Sequence, residues 1–133
     1  MDTGILVSAF VFGGVPAKAV IKAFKEADIC VSPKLLEEYR DTPVDLEKEG
    51  KITHQQMQAL IAGIAAVVSH AKIVYPIKQF SLCRDVEDNM ILECGYAAKA
   101  KILITGDKDL LEMTGLPFNI GLITPQAFVE AED

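Results

Sequence analysis

Asp85, Glu87 and Asp88 stand before an apolar helical stretch, and Asp107 and Asp109 stand just after the short run "KILIT". Acids at both ends of one helix–strand unit have two readings. Aspartates cap helices and favour the positive end of the helix dipole. Alternatively, carboxylates from separate segments converge on something that needs negative charge. Convergence is costly, because crowded carboxylates raise one another's pKa and destabilise the fold. A bound divalent cation removes that cost, and an all-oxygen donor set suits Mg²⁺ or Mn²⁺. The chemistry this would support is metal-assisted hydrolysis. Zinc is disfavoured, since His54 and His70 are the only histidines and fall at opposite ends of one expected helix.

Positioning such acids requires a scaffold, and the patterning supplies one. "PAKAVIKAFKEA" (16–27) places Ala17, Val20, Ile21 and Phe24 on one helical face. A short strand is expected at 28–32. Ser32 and Pro33 then cap and start a helix, followed by a polar connection over 42–51. Thr53 and Gln56 form a capping-box pattern before a long helix at about 54–69, with the stripe Met57, Leu60, Ile61, Ile64 and Val68. Strands are expected at 72–76, 101–105 and 120–124, a helix at about 86–99, and a last helix from Pro125. The alternation argues for a parallel sheet covered by helices, whose apolar strand runs lack polar alternation. In such folds the crevice lies beyond the carboxyl ends of the strands.

That rule converts sequence position into spatial position. Asp107 follows a strand by one glycine, and Gly106 is expected to permit a sharp exit. Asp88 lies in the first turn of the preceding helix. On the helix after the first strand, Glu38 lies about 105° from the centre of the apolar face and Glu37 about 155°, so Glu38 is the acid nearer the core edge. Asp85 with Asp88 also reads as a cap and its first-turn partner. Asp109 and Glu112 read as surface acids.

The bulk numbers constrain partners. At 133 residues one domain with its own core is expected. A net charge of −6 argues against a simple electrostatic nucleic-acid binder, which should be basic. Contact with phosphates would need local basic patches or bound cations. Cys30, Cys83 and Cys94 show no CxxC spacing and read as core thiols in a reducing compartment. The apolar opening has no basic flank, since Asp2 stands there. "ALIAGIAAVV" (59–68) is too short to span a bilayer. A cytoplasmic location is the expectation.

On these residues the chain resembles the PIN-domain ribonucleases, particularly toxins related to the VapC group of toxin–antitoxin systems. "MDTGILVSAF" is similar to the family's Asp-Thr-Asn opening, and "VSPKLLEEYRD" to its helix bearing a single acidic ligand. "CRDVEDNMILECGYAAKAKILITGDKDLL" is similar to the family's second half, and "LITPQAFVE" to its close. The resemblance implies a three-layer α/β fold, a central parallel sheet of four or five strands flanked by helices, as a single domain over 1–133. It implies Asp2, Glu38, Asp88 and Asp107 as the catalytic carboxylates, holding one or two Mg²⁺ or Mn²⁺ ions. Asp85 would assist or only cap its helix, and Thr105 would orient Asp107. Lys34, Arg84 and Lys108 would guide the RNA backbone or stand as solvated charges.

The activity implied is hydrolysis of RNA phosphodiester bonds by a toxin, with an antitoxin protein and a second copy of the chain as partners and no membrane. Two departures stand against it. Gly4 replaces the family's asparagine, and only Met1 precedes the first aspartate where the family has a hydrophobic strand, so the first strand is expected to be truncated. They favour a second expectation, a catalytically silent PIN-like module that binds or dimerises. A phosphotransfer domain of flavodoxin type is a weaker third, because its aspartyl nucleophile needs a preceding strand.

Overall fold

A computed structural model describes residues 1–131. Four short strands carry the α/β frame: β1 (Cys30–Val31), β2 (Lys72–Ile73), β3 (Ile102–Ile104) and β4 (Gly121–Ile123). β1 pairs in parallel with β2, Val31 opposite Ile73, and β3 pairs in parallel with β4, Ile104 opposite Ile123. The expected sheet of four or five strands therefore takes the form of two parallel pairs. Between them lies a cavity of about 100 Å³ lined by Met1, Cys30, Ile102 and Ile104 among others. Met1 and Asp2 are the chain that reaches β3 on this side: the Asp2 amide donates to the Ile104 carbonyl at 3.3 Å, and the Tyr39 hydroxyl donates to the Met1 carbonyl at 2.8 Å. Burial pushes the Met1 amine pKa down. The strands are short because a ladder extends only as far as both partners do.

The helices form where the pattern places them, with informative exceptions. Before β1 come α1 (Thr3–Val7), a wider π-helical turn over Ser8–Phe12, and α2 (Gly14–Glu26). The face of α2 that is fully buried is Ala19, Val20 and Ala23, with Ile21 54 % exposed. Small residues face inward because α2 packs closely on α7 (Pro125–Glu130) and on the π-helical turn. The expected loop over 42–51 is largely helix, since α3 runs from Pro33 to Lys48 with Pro43 inside it. An internal proline costs a helix about 3 kcal/mol. Here Pro43 is buried in line with Leu35 and Tyr39, at i, i+4 and i+8, so its ring extends the face that packs on its neighbours.

Helix α4 (His54–Ser69) occupies its expected span, closed by the reciprocal Thr53–Gln56 capping box. Its buried stripe is Leu60, Ile64 and Val67, and Ile61 is 45 % exposed. Ser32 and Thr124 cap α3 and α7 through their hydroxyls. α5 (Val86–Ala97) packs on α3 and β1, and α6 (Lys108–Leu111) is a single turn that patterning does not reveal.

Gly63 on α4 has a positional role. A Cβ there would overlap the ring carbons of Phe10 in the π-helical turn. Gly63→Ala would gain about 1 kcal/mol of helix propensity but force the ring away, which typically costs about 1–3 kcal/mol. A lowered midpoint in urea unfolding is expected; an unchanged or raised midpoint would show that Phe10 yields freely.

Candidate active site

The carboxyl ends of β1 and β3 open on the same side as the first turn of α5. β1 leads through Ser32 into α3, whose second turn carries Glu38. β3 leads through Thr105 and Gly106 to Asp107, the cap of α6. Asp85 caps α5, its Oδ1 accepting the Glu87 amide at 2.9 Å. A cavity of about 420 Å³ forms there, and Asp2, Glu38, Asp85, Glu87, Asp88 and Asp107 all line it. Carboxylates from four separated segments thus share one space.

Two hydroxyls position these residues. Thr105 is fully buried; its Oγ1 donates to Asp2 Oδ2 and accepts the Asp107 amide at 3.0 Å. Asp2 Oδ1 accepts the Ile5 amide at 3.0 Å as the cap of α1. Thr3 Oγ1 donates to Glu38 Oε1 at 2.6 Å. The turn at Gly106 has no positive φ, so the sharp exit comes from the Thr105–Asp107 hydrogen bond and not from left-handed glycine backbone.

The electrostatics carry the signature of crowding. Burial pushes the Glu38 carboxyl up, and the charges of Glu87, Asp2 and Asp85 push it further. Its Oε2 is buried with no hydrogen-bond partner, an arrangement that costs a carboxylate dearly unless something positive is supplied. Asp88 is 6 % exposed, and its pKa is raised to about 7, first by burial, then by Asp107, with Asp85 and Asp109 adding to it. Cys83, above the same acids, is likewise pushed up by burial and then by their charge.

Carboxylate oxygens of Asp88, Asp107 and Asp109 lie within 4.8 Å of one another. Hard oxygen donors at that spacing, with an unpartnered Glu38 oxygen in the adjoining cavity, suit a divalent cation of the Mg²⁺ or Mn²⁺ type. Asp109 is exposed, as the sequence reading expects; what that reading did not expect is its carboxylate beside those of Asp88 and Asp107, with its amide donating to Asp107 Oδ1 at 2.8 Å. The Asp-x-Asp spacing across a helix cap was the available signal.

The deciding observation comes from comparison with known families: a family model described as a PIN domain matches residues 1–109. This chain belongs to the PIN-domain family. PIN domains are generally nucleases and typically use divalent metals, so membership makes a nucleic acid the substrate class. The matched span holds all the acids that line the cavity or join the cluster. An uncharacterized protein of Methanocaldococcus jannaschii is 29% identical over 139 residues, covering 98% of this chain and 88% of that protein. No solved structure matches.

Among the basic residues, Arg84 Nη2 lies 3.8 Å from Asp109 Oδ2, Lys108 is exposed on α6, and Lys34 is exposed on α3 one turn before Glu38. The histidines are elsewhere: His54 contacts Glu47 and His70 packs edge-on against Phe24. Sequence reasoning missed two buried polar residues of this PIN domain. Asn89 accepts the Leu82 and Cys83 amides at 2.9 and 2.8 Å and donates to the Cys83 carbonyl. Glu93 accepts the Phe80 amide at 2.8 Å. Both anchor to α5 the irregular segment that delivers Asp85. Polar residues interrupting the apolar face of a central helix were the sign.

Proposed function

We propose that this PIN domain is a metal-dependent endoribonuclease in which Asp2, Glu38, Asp88 and Asp107 hold one or two Mg²⁺ or Mn²⁺ ions. The observation that carries the reading is the convergence of these four carboxylates on one cavity, with a buried, unpartnered oxygen on Glu38. Thr105 fixes Asp2 and Asp107 relative to each other, and Thr3 fixes Glu38. Asp88 would hold the cation as a carboxylate, since ligands must be deprotonated. When bound, the cation supplies the charge that acidifies water and stabilises the crowded phosphate. Asp109 adds a carboxylate at the edge of the cluster, near Arg84, while Lys34, Arg84 and Lys108 guide the RNA backbone. Metal loading reverses the local potential, which answers the objection raised by the net charge of −6.

The biological setting follows from the resemblance to toxins of the VapC group: a single cytoplasmic domain, a second copy of the chain, and an antitoxin protein as regulator. Among the described residues no single helix is long and apolar enough to cross a membrane. The test is incubation of single-stranded RNA with the purified chain in Mn²⁺ and in EDTA. Cleavage is expected only with the cation, and undiminished cleavage in EDTA would refute the mechanism. Gly4 favours the second reading, a silent binding module, because it offers no side chain beside Asp2 Oδ1. Calorimetry with no Mn²⁺ uptake by a folded chain would decide for that module.

A further inference from the structure

Beside the acidic cavity lies a second groove of about 240 Å³, lined by Lys34, Tyr75, Lys78, Met90 and Glu93 among others. It falls short of the roughly 300–1,000 Å³ of drug-sized sites but is of a size for one flat ring. The two cavities are floored by the same helices. Lys34 stands four residues before Glu38 on α3, and Met90 three residues after Glu87 on α5, so each pair shares a face one turn apart. One helical turn is about 5.4 Å, close to the step between neighbouring nucleotides in an extended strand.

The lining is unlike the rest of this acidic chain. Tyr75 is 72 % exposed, on the irregular segment after β2, where nothing in the fold requires an aromatic. Lys78 lies 5.7 Å from the Tyr96 ring centre, on an aromatic shelf made with Phe80 and Phe118. An exposed contact of this kind is weak, so it poises the ammonium without sequestering it. The one acid of the group, Glu93, is buried and accepts the Phe80 amide. An exposed ring flanked by two lysines is the combination that single-stranded nucleic acid uses, bases stacking and phosphates pairing with cations.

We propose that this groove is the subsite for the nucleotide adjoining the scissile phosphate, its base stacked on Tyr75 and its phosphates held by Lys34 and Lys78. The inference rests on the nuclease reading for the position of that phosphate, and it assigns the substrate as single-stranded, because a paired base cannot reach the ring.

The experiment measures binding of a fluorescent single-stranded oligoribonucleotide by anisotropy, in Mn²⁺, on the full chain carrying Asp107→Asn to prevent cleavage. Tyr75→Ala is expected to weaken binding about 10-fold, from the loss of one stacked base, and Tyr75→Phe to retain it. Lys34→Ala with Lys78→Ala should flatten the slope of log affinity against log salt by about 1.4, two single-strand phosphate contacts. Affinity within about twofold of the parent in Tyr75→Ala, well below the loss of one stacked base, would overturn the proposal. So would a change of oligomeric state in Tyr75→Ala with RNA affinity intact, which would make the groove a protein contact. The two readings fail separately. Tyr75-dependent binding by a parent chain that cannot cut would sink the nuclease alone; metal-dependent cutting with KM unmoved by Tyr75→Ala would sink the subsite alone.

Discussion

Asp88→Asn is expected to abolish Mn²⁺-dependent RNA cleavage while making the metal-free protein more stable at pH 8. The two effects have one cause. Asp88 is buried beside Asp107, and its pKa is raised to about 7. In the unfolded chain an aspartyl group holds its proton only below about pH 4. Between pH 4 and 7 the folded state therefore binds the extra proton, and stability falls as pH rises. Above 7 the penalty is complete, about 4 kcal/mol, of which about 3 kcal/mol accrues between pH 5 and pH 8. In thermal unfolding without metal, the parent should melt roughly 10 °C lower at pH 8 than at pH 5 as far as this group decides.

Mn²⁺ should recover much of that loss at pH 8 and little at pH 5, since binding to the folded state alone stabilises it and protons compete for the ligand. Asparagine keeps the size but carries no charge, so Asp88→Asn should show neither the pH dependence nor the rescue. Its cleavage rate should fall at least about 100-fold, the upper end of the loss seen for residues that only support a metal ligand. A variant that is destabilised at pH 8, or that still cuts at the parent rate, would make Asp88 a structural acid.

Thr105→Val should cost about 10–100-fold in cleavage, because it removes the hydroxyl that positions two ligands without touching the metal. Valine preserves the shape but strands Asp2 Oδ2 and the Asp107 amide, both now bonded to Thr105 Oγ1. Leaving such half-buried groups unpaired costs about 1 kcal/mol of stability, the low end of the penalty for a buried group. Thr105→Ser restores the hydroxyl and should restore most of the activity, which a packing role for the lost methyl would not allow. The decisive readout is Mn²⁺ affinity by calorimetry: weaker binding in Thr105→Val with a cooperative unfolding transition marks Thr105 as a positioning residue. Unchanged affinity and rate in the folded valine variant would reject that role.

Much of this site could be read from the chain because its parts sit at element ends. Strand ends and helix caps leave local marks: Ser32-Pro33, Thr53 with Gln56, Asp85 before an apolar run, Thr105-Gly106-Asp107 after one. Glu38 was separable from Glu37 by helical angle, and the structure places Glu38 at the cavity and Glu37 in solvent. The roles of Asp109, Asn89 and Glu93 were marked only faintly, by spacing or by a polar break in an apolar face, since each role is defined by its partners in the fold. The same holds for the inward face of α2 and for Pro43, where neighbouring helices overrule intrinsic preference.

The sequence alone determined most of the longer helices and the strand-like runs, the parallel alternation, and the acids that a shared crevice edge would bring together. Periodicity, caps and chain direction are local, and they suffice for that. Tertiary structure alone decided that the strands form two short pairs with Met1 between them, and that Thr105 joins Asp2 to Asp107. It also decided that one oxygen of Glu38 is left without a partner. Those outcomes depend on the distance between atoms far apart in the chain, and no local preference encodes a distance.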